Sequence, residues 1–351
     1  MITDQEKKPQ QKEQGNKLGS LLEAKQVSKE YISGTFVKNR NLALKPISFS
    51  ISDDSPSITA IAGESGSGKT TFARVIAGIL DKSSGSLRYK DKDIDQMNSE
   101  EILNFKKEVQ TIFQDPFEVY NPFYKVDHVL TTPIKKFGLA ENKSDMDEMI
   151  ISALQEVGLR PDETLGRYPH QLSGGQRQRI MVARAFLLRP KIIIADEPVS
   201  MVDASLRATI LEEIKKLKEN YNISVVYITH DLTTAYQVAD NIIVLYKGQV
   251  VEAGDVENVI NKPVHPYTQL LTDCIPRPDP DQKWSKTSGD ITLESRIISG
   301  CNCAFCNQNE SVESDRKIYE FNKNQIVSCK KAEKKKICAN EDISAYFTKK
   351  K

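Results

Sequence analysis

The segment at residues 63–70 reads Gly63-Glu64-Ser65-Gly66-Ser67-Gly68-Lys69-Thr70. A short β-branched run at residues 57–62 precedes it, and residues 71–77 have the composition of a helix start. A glycine-rich loop between a strand and a helix, closed by Gly-Lys-Thr, is the P-loop pattern. Its glycines let the backbone turn N–H groups towards phosphate oxygens, and the helix N-terminus adds free N–H groups. The segment therefore predicts a nucleotide-phosphate site.

Two side chains of this segment have the chemistry that such a site needs. Lys69 can reach the β- and γ-phosphates, and the Thr70 hydroxyl can bind Mg²⁺. The alternative is a chance glycine-rich turn. The strand before the loop and the helix after it argue against that alternative.

Composition limits the class of protein. The chain has 351 residues with 49 Lys+Arg and 48 Asp+Glu, so no overall field for nucleic acid or a membrane surface is expected. No apolar run approaches the roughly 20 residues that span a bilayer. The residues after Met1 lack the apolar core of a secretory signal, and the six cysteines do not suggest a disulfide framework. We expect the chain to work in the cytoplasm.

The segments around the P-loop predict a layered α/β chain. Residues 1 to about 20 are polar and are expected to be disordered. Apolar alternation from Leu21 and again at residues 42–51 predicts paired antiparallel strands. Tyr31 in the first of them can stack on adenine or be an ordinary half-buried strand tyrosine. Residues from about 115 to 180 predict a helical insertion into the α/β core.

Polar residues follow three predicted strands of this core. The strand at residues 109–114 ends at Gln114, that at 191–196 is followed by Glu197, and that at 223–229 by His230. Ligands of parallel sheets bind at the carboxyl ends of the strands. Of the adjacent carboxylates Asp196 and Glu197, one can hold Mg²⁺ while the other polarises the attacking water. A lone histidine at a strand end is more often structural, but this one belongs to the same predicted sheet.

A second glycine-containing loop lies at residues 172–176 and precedes a predicted helix at residues 176–188. A Ser-Gly-Gly sequence at a helix N-terminus is suited to bind phosphate. By itself it could be only a helix cap.

Together these segments resemble the ATP-binding subunits of ABC transporters over roughly residues 22–280. The resemblance implies an α/β P-loop NTPase fold: a RecA-like core with an antiparallel β subdomain, a helical insertion and a small C-terminal extension. It implies an active ATPase with ATP and Mg²⁺ as ligands. It also implies that one chain holds half of each ATP site, the loop at Ser173 capping the ATP of a partner subunit.

The resemblance assigns roles residue by residue. Catalytic roles go to Glu197 as general base, to His230 as the switch histidine and to Gln114 of the Q-loop. The Mg²⁺ ligands would be Thr70, Gln114 and Asp196. The residues assigned to nucleotide binding are Tyr31, Gly63, Glu64, Ser65, Gly66, Ser67, Gly68, Lys69, Thr70, Thr71, the signature residues Ser173, Gly174, Gly175 and Gln176, and Asp203 of the D-loop.

A narrower resemblance is to the oligopeptide/dipeptide importer branch. It rests on Arg167-Tyr168-Pro169-His170-Gln171-Leu172 before the signature and on Val264-His265-Pro266-Tyr267-Thr268-Gln269-Leu270-Leu271 after the cassette. It implies integral-membrane permease subunits, a second ATPase subunit that is a copy or a paralogue, indirectly a solute-binding protein, and no nucleic acid. The place implied is the cytoplasmic face of the cell membrane, peripherally bound.

Two alternatives stay open at this point. Oligosaccharide importers belong to the same branch. Soluble non-transport ABC ATPases share the motifs, although DNA-repair members separate them by a long coiled coil and ribosome-associated members carry two cassettes.

The predicted domains are a lead-in at residues 1–20, an ABC ATPase domain at 21–255 and a C-terminal extension at 256–351. The extension contains Cys301, Cys303, Cys306 and Cys329. The resemblance implies a 4Fe–4S cluster, although the spacing here is compressed relative to the family's. Zinc and unligated thiols are the alternatives, because thiolates suit both metals. Cys274 stands alone and is expected in the core.

Overall fold

The computed structural model describes residues 19–34, 38–114, 120–200, 202–275, 317–329 and 340–347, together with residues 305, 332 and 335–338. The strands are β1 (Ser20–Ser33), β2 (Asn39–Ser52), β3 (Ile58–Ala62), β4 (Ser84–Tyr89), β5 (Lys92–Asp93), β6 (Val109–Ile112), β7 (Ile192–Asp196), β8 (Ser224–Thr229), β9 (Asn241–Tyr246), β10 (Gln249–Asp255), β11 (Tyr319–Asn322), β12 (Gln325–Val327) and β13 (Lys336–Ile337). The α-helices are α1 (Lys69–Ile76), α2 (Ser99–Glu108), α3 (Asp127–Phe137), α4 (Lys143–Glu156), α5 (Pro161–Thr164), α6 (Gly174–Leu187), α7 (Ala204–Tyr221), α8 (Leu232–Val238), α9 (Val256–Asn261) and α10 (Pro266–Asp273).

The larger sheet has the order β13-β11-β12-β10-β9-β3-β8-β7-β6. The five strands from β9 to β6 run parallel to one another. Every residue of β3, β7 and β8 is buried, as expected of parallel strands that are covered on both faces. The carboxyl ends of β3, β6, β7 and β8 therefore meet at one edge, which confirms the predicted α/β core.

The smaller sheet has the order β2-β1-β4-β5 and is antiparallel. Phe49 of β2 meets Phe72 of α1 edge to face, with ring centroids 5.9 Å apart. The helix that follows the P-loop therefore packs between the two sheets.

The helical insertion is built from α3, α4, α5 and the start of α6. Its interior is apolar and buried, and its members include Leu130, Ile134, Ile150, Leu154 and Ile180. The structure thus confirms the predicted helical insertion, whose helices bury these apolar side chains.

The C-terminal region continues the larger sheet. β12 pairs antiparallel with β10, and Ala253 lies opposite Ile326. The ring centroid of Phe347 lies 6.4 Å from that of Phe49 in β2, so this region also contacts the smaller sheet. The division into domains at residue 255 stays a prediction.

Three expectations need comment. The strand predicted at residues 109–114 ends at Ile112, two residues before Gln114. Cys274 is exposed at the end of α10, so its expected place in the core is wrong. Residues 1–18 of the predicted lead-in lie outside the described residues. Among the helices described, none combines the length and the apolar character needed to cross a membrane.

Candidate functional site

The P-loop lies between β3 and α1 and is pressed against two other strands. Gly63 has a φ of 150°, and a Cβ there would lie 2.3 Å from the carbonyl oxygen of Leu245 in β9. Gly68 has a φ of 99°, and a Cβ there would lie 2.8 Å from the carbonyl oxygen of Ala43 in β2. Both positions require glycine, because other residues rarely adopt this backbone and a side chain would collide with it.

Lys69 is buried inside this loop. Its Nζ donates hydrogen bonds to the carbonyl oxygens of Gly63 and Glu64, each at 2.8 Å. Burial lowers the pKa of Lys69, while the negative charges of Glu197 and Asp196 act in the opposite direction. The ammonium group thus lies close to the carboxylates of Asp196, which ends β7, and of Glu197, which follows it.

The rest of the loop is arranged around this lysine. Glu64, Ser65 and Gly66 are exposed, Ser67 is buried, and Thr70 and Thr71 are half-buried. The Ser67 carbonyl oxygen accepts a hydrogen bond from the Gly248 N–H at 2.9 Å. The structure thus places the loop residues together on the edge where the parallel strands end.

Asp196 ends β7 beside Thr70. Burial raises the pKa of the Asp196 carboxyl, and the Thr70 hydroxyl acts in the opposite direction. Its Oδ1 is buried and has no hydrogen-bond partner in the described part of the chain. An oxygen pair of this kind fits Mg²⁺, which prefers hard oxygen ligands. Thr70 and Asp196 could hold the ion, and it would neutralise charge on the phosphates.

Glu197, which follows β7, contacts side chains that follow the two neighbouring strands, β6 and β8. Its Oε2 accepts a hydrogen bond from Gln114 Nε2 at 3.1 Å, and its Oε1 lies 3.0 Å from Nδ1 of His230. The glutamate side chain is 14% exposed, whereas that of His230 is 60% exposed. The structure therefore brings together the three side chains with predicted catalytic roles. Those roles stay predictions.

The signature residues form the N-terminus of α6. The Ser173 hydroxyl accepts a hydrogen bond from the Gln176 N–H at 3.2 Å, and the Gln176 side chain accepts one from the Ser173 N–H at 2.9 Å. Gly174 begins the helix, and Gly175 packs close to Leu206 and Val202. These hydrogen bonds stay within the turn, and the side chain of Ser173 is exposed.

The two remaining nucleotide-binding candidates are also exposed. Asp203 precedes α7 and makes no side-chain capping bond to it. Tyr31 is 43% exposed on β1, and the Lys29 Nζ lies 5.5 Å from its ring centroid. The ring is thus accessible for stacking.

The cysteine prediction cannot be followed on all four residues. Cys301, Cys303 and Cys306 lie outside the described residues, and Cys329 is buried. Within the part of the chain that is described, no three His, Cys, Asp or Glu side chains form a group that could hold a metal ion.

One contact at the site was not predicted. The Tyr267 hydroxyl accepts a hydrogen bond from the Glu64 N–H at 2.9 Å. The two residues are 203 positions apart, and no local pattern indicates such a pairing.

Comparison with known proteins identifies the family. The family model described as "ABC transporter" matches residues 44–200, and that described as "Oligopeptide/dipeptide transporter, C-terminal region" matches residues 251–310. The oligopeptide transport ATP-binding protein OppF of Streptococcus mutans is 38% identical over 74% of this chain and 83% of its own. OppF of Salmonella typhimurium is 36% identical over 69% of this chain and 73% of its own.

Solved structures agree with this result. A dimeric structure of the ATP-binding cassette MJ0796 in a post-hydrolysis state with ADP and Pi is similar, with a TM-score of 0.60 and 27% identity over 67% of this chain and 98% of that one. The cbiO1 structure from Clostridium perfringens has a TM-score of 0.59 and 25% identity over 70% of this chain and 92% of its own. The chain therefore belongs to the ABC transporter family, as one of its ATP-binding, ATP-hydrolysing subunits.

Proposed function

We propose that this chain powers the uptake of oligopeptides or dipeptides through membrane permease subunits. The C-terminal match at residues 251–310 to the oligopeptide/dipeptide transporter model supports this substrate class. The names of the relatives, oligopeptide transport ATP-binding proteins, support it as well.

Hydrolysis is assigned to the side chains at the three strand ends. The observation that carries this assignment is Glu197 lying between Gln114 and His230, with contacts of 3.1 and 3.0 Å. Glu197 accepts the proton of the attacking water, and Gln114 and His230 hold its carboxylate in place before ATP arrives. Lys69, held by the carbonyl oxygens of Gly63 and Glu64, is placed to contact the phosphates. Thr70 and Asp196, with Gln114 as the third candidate ligand, would hold Mg²⁺, which would supply charge neutralisation at the phosphate oxygens.

The ATP site is shared between two cassettes. Ser173 is exposed at the N-terminus of α6, and a helix N-terminus attracts phosphate. ATP stabilises the closed dimer because its γ-phosphate contacts both subunits. Hydrolysis removes these contacts, and the closed dimer is then no longer favoured. The partner is a second copy or a paralogue.

The permease docks on an exposed aromatic group that follows the Q-loop in the chain, on the cytoplasmic face of the membrane. Phe123 is 87% exposed nine residues after Gln114, and beside it Tyr124 stacks on His128 with ring centroids 4.5 Å apart. An exposed aromatic group is typical of an interaction surface. A solute-binding protein acts indirectly by delivering the solute to the permease.

The C-terminal cysteines form a further hypothesis: a 4Fe–4S cluster held by Cys301, Cys303, Cys306 and Cys329. Its support is the density of thiols in the sequence, with three in six residues. Anaerobic purification followed by absorption spectroscopy and elemental analysis tests it. About four iron atoms per chain together with visible absorption support the cluster. Zinc in place of iron indicates a zinc site. A colourless protein that contains neither iron nor zinc contradicts a metal site.

Co-purification from membranes tests the proposed function. The tagged full-length chain is isolated from detergent-solubilised membranes, and its partners are identified by mass spectrometry. The complex is then placed in vesicles and its ATPase activity is measured with peptides and with oligosaccharides, with Lys69→Ala as the inactive control. Stimulation by peptides supports the proposal. Stimulation by oligosaccharides alone, or recovery with ribosomes or DNA instead of permease subunits, contradicts it.

A further inference from the structure

The peptide unit between Gly63 and Glu64 is fixed at both of its polar ends. Its carbonyl oxygen, from Gly63, accepts a hydrogen bond from Lys69 Nζ at 2.8 Å. Its N–H, from Glu64, donates to the Tyr267 hydroxyl at 2.9 Å. One peptide plane therefore joins the P-loop lysine to a tyrosine of α10.

Tyr267 is itself rigidly held. Its side chain is fully buried. The ring lies 4.6 Å from that of Tyr246 in β9 and 5.7 Å from that of Phe305, measured between centroids. Burial raises the pKa of the Tyr267 hydroxyl, which keeps it protonated. Aromatic packing of this kind leaves the ring little freedom, so the hydroxyl oxygen has a defined position.

The start of α10 is anchored to the larger sheet by a buried carboxylate. The N–H groups of Val264 and His265 each donate to Glu252 of β10 at 3.0 Å. His265 Nδ1 then accepts the Tyr267 N–H at 3.1 Å. Hydrogen bonds joined through the residues His265 and Tyr267 thus link β10 to the P-loop.

We infer that Tyr267 is a positioning residue for ATP binding, and that α10 orients the P-loop through it. The inference rests on the proposed nucleotide site. The hydroxyl does not need to touch the nucleotide. It fixes the Gly63–Glu64 peptide, whose carbonyl holds Lys69 where the β- and γ-phosphates arrive. A prearranged loop loses less conformational freedom on binding.

Replacing Tyr267 by phenylalanine tests this inference. Tyr267→Phe keeps the ring and removes only the oxygen. We expect the dissociation constant for ATP to rise about fivefold, the effect of one hydrogen bond. The kcat at saturating ATP should stay within about twofold, because the catalytic side chains are unchanged. Affinity for AMP, which lacks the phosphates that Lys69 contacts, should not change.

Tyr236→Phe is the matched control, because Tyr236 is 44% exposed on α8 and its hydroxyl accepts a hydrogen bond from Asn261 Nδ2 at 3.4 Å rather than from the P-loop. Lys69→Ala tests the nucleotide site separately: if it binds ATP normally, the site assignment fails whatever Tyr267 does. If Lys69→Ala does lose ATP binding, the site assignment stands, and an unchanged ATP affinity in Tyr267→Phe then overturns the inference. An equal loss of ATP and AMP binding in Tyr267→Phe also overturns it, because it indicates that the variant loosens the fold as a whole.

Amide hydrogen exchange on the wild-type chain gives a test that does not depend on a variant. The Glu64 side chain is exposed, but its N–H is bonded to a buried hydroxyl. We expect this amide to exchange at least about tenfold more slowly than an open loop, since exchange requires the bond to break. Exchange at the rate of an open loop contradicts the inference.

Discussion

At the scale of single residues, Glu197 combines an unusual backbone with a fixed side chain. Its φ is 44°, in the left-handed region that disfavours residues other than glycine. Its N–H donates to the Ile228 carbonyl oxygen at 2.9 Å, and Gln114 and His230 contact its two carboxylate oxygens. These contacts offset the backbone strain and aim the carboxylate at the site. The geometry thus suits a general base that is positioned before substrate binds.

Glu197→Gln should separate ATP binding from hydrolysis. The amide has nearly the same shape but cannot accept a proton, so we expect kcat to fall by about 100-fold or more while ATP affinity stays within about threefold. Phosphate release and nucleotide binding measure the two effects. Glu219→Gln, an exposed change on α7, is the control. More than about a tenth of wild-type turnover in Glu197→Gln would contradict the assignment.

At the scale of elements, α2 and α6 begin with the same kind of N-terminal cap but differ in their predicted roles. Asn98 and Glu101 form a reciprocal capping box at α2, and Ser173 and Gln176 form one at α6. Each satisfies N–H groups that a helix start leaves free. The α6 cap also belongs to the signature sequence, so only this cap is expected to have a role outside its own helix.

Ser173→Ala and Asn98→Ala form a matched pair. Each should lower the free energy of unfolding by about 1 kcal/mol, because each removes one N-cap. Only Ser173→Ala should reduce ATP-driven dimerisation, by about tenfold or more, since its hydroxyl would contact the partner's ATP. Sedimentation in the Glu197→Gln background measures the dimer. Equal dimerisation of both variants would rule out the shared site.

At the scale of the whole molecule, one buried carboxylate joins three distant parts of the chain. Glu252 of β10 accepts the Val264 and His265 N–H groups before α10 and a bond at 2.7 Å from Gln325 Nε2 of β12. Burial raises the pKa of Glu252, and these hydrogen bonds act in the opposite direction. One side chain therefore connects β12, the start of α10 and β10 of the larger sheet by hydrogen bonds.

Glu252→Leu should lower the free energy of unfolding by about 3 kcal/mol, because it leaves buried N–H donors without an acceptor. Denaturant unfolding measures the change. Glu257→Leu, at an exposed position in α9, should cost less than about 1 kcal/mol. If both variants lose the same stability, Glu252 does not join these segments as described.

The sequence by itself determined the features that depend on local chemistry. The glycines at residues 63–68 predicted a loop between a strand and a helix, and the apolar runs before Asp196 and His230 predicted strands of one parallel sheet. These patterns were sufficient because backbone geometry and hydrophobic periodicity act over a few residues. The antiparallel β subdomain and the helical insertion were predicted in the same way, and the fold class is confirmed.

The tertiary structure alone decided which distant groups meet. Strand ends indicated that Gln114, Glu197 and His230 lie on one edge, but the register of β6, β7 and β8 sets the contacts near 3 Å. No local sequence pattern predicts the pairing of β12 with β10 or the hydrogen bond from Glu64 to Tyr267. They form only when packing brings together segments far apart in the chain, because neither partner is specified by its own neighbours.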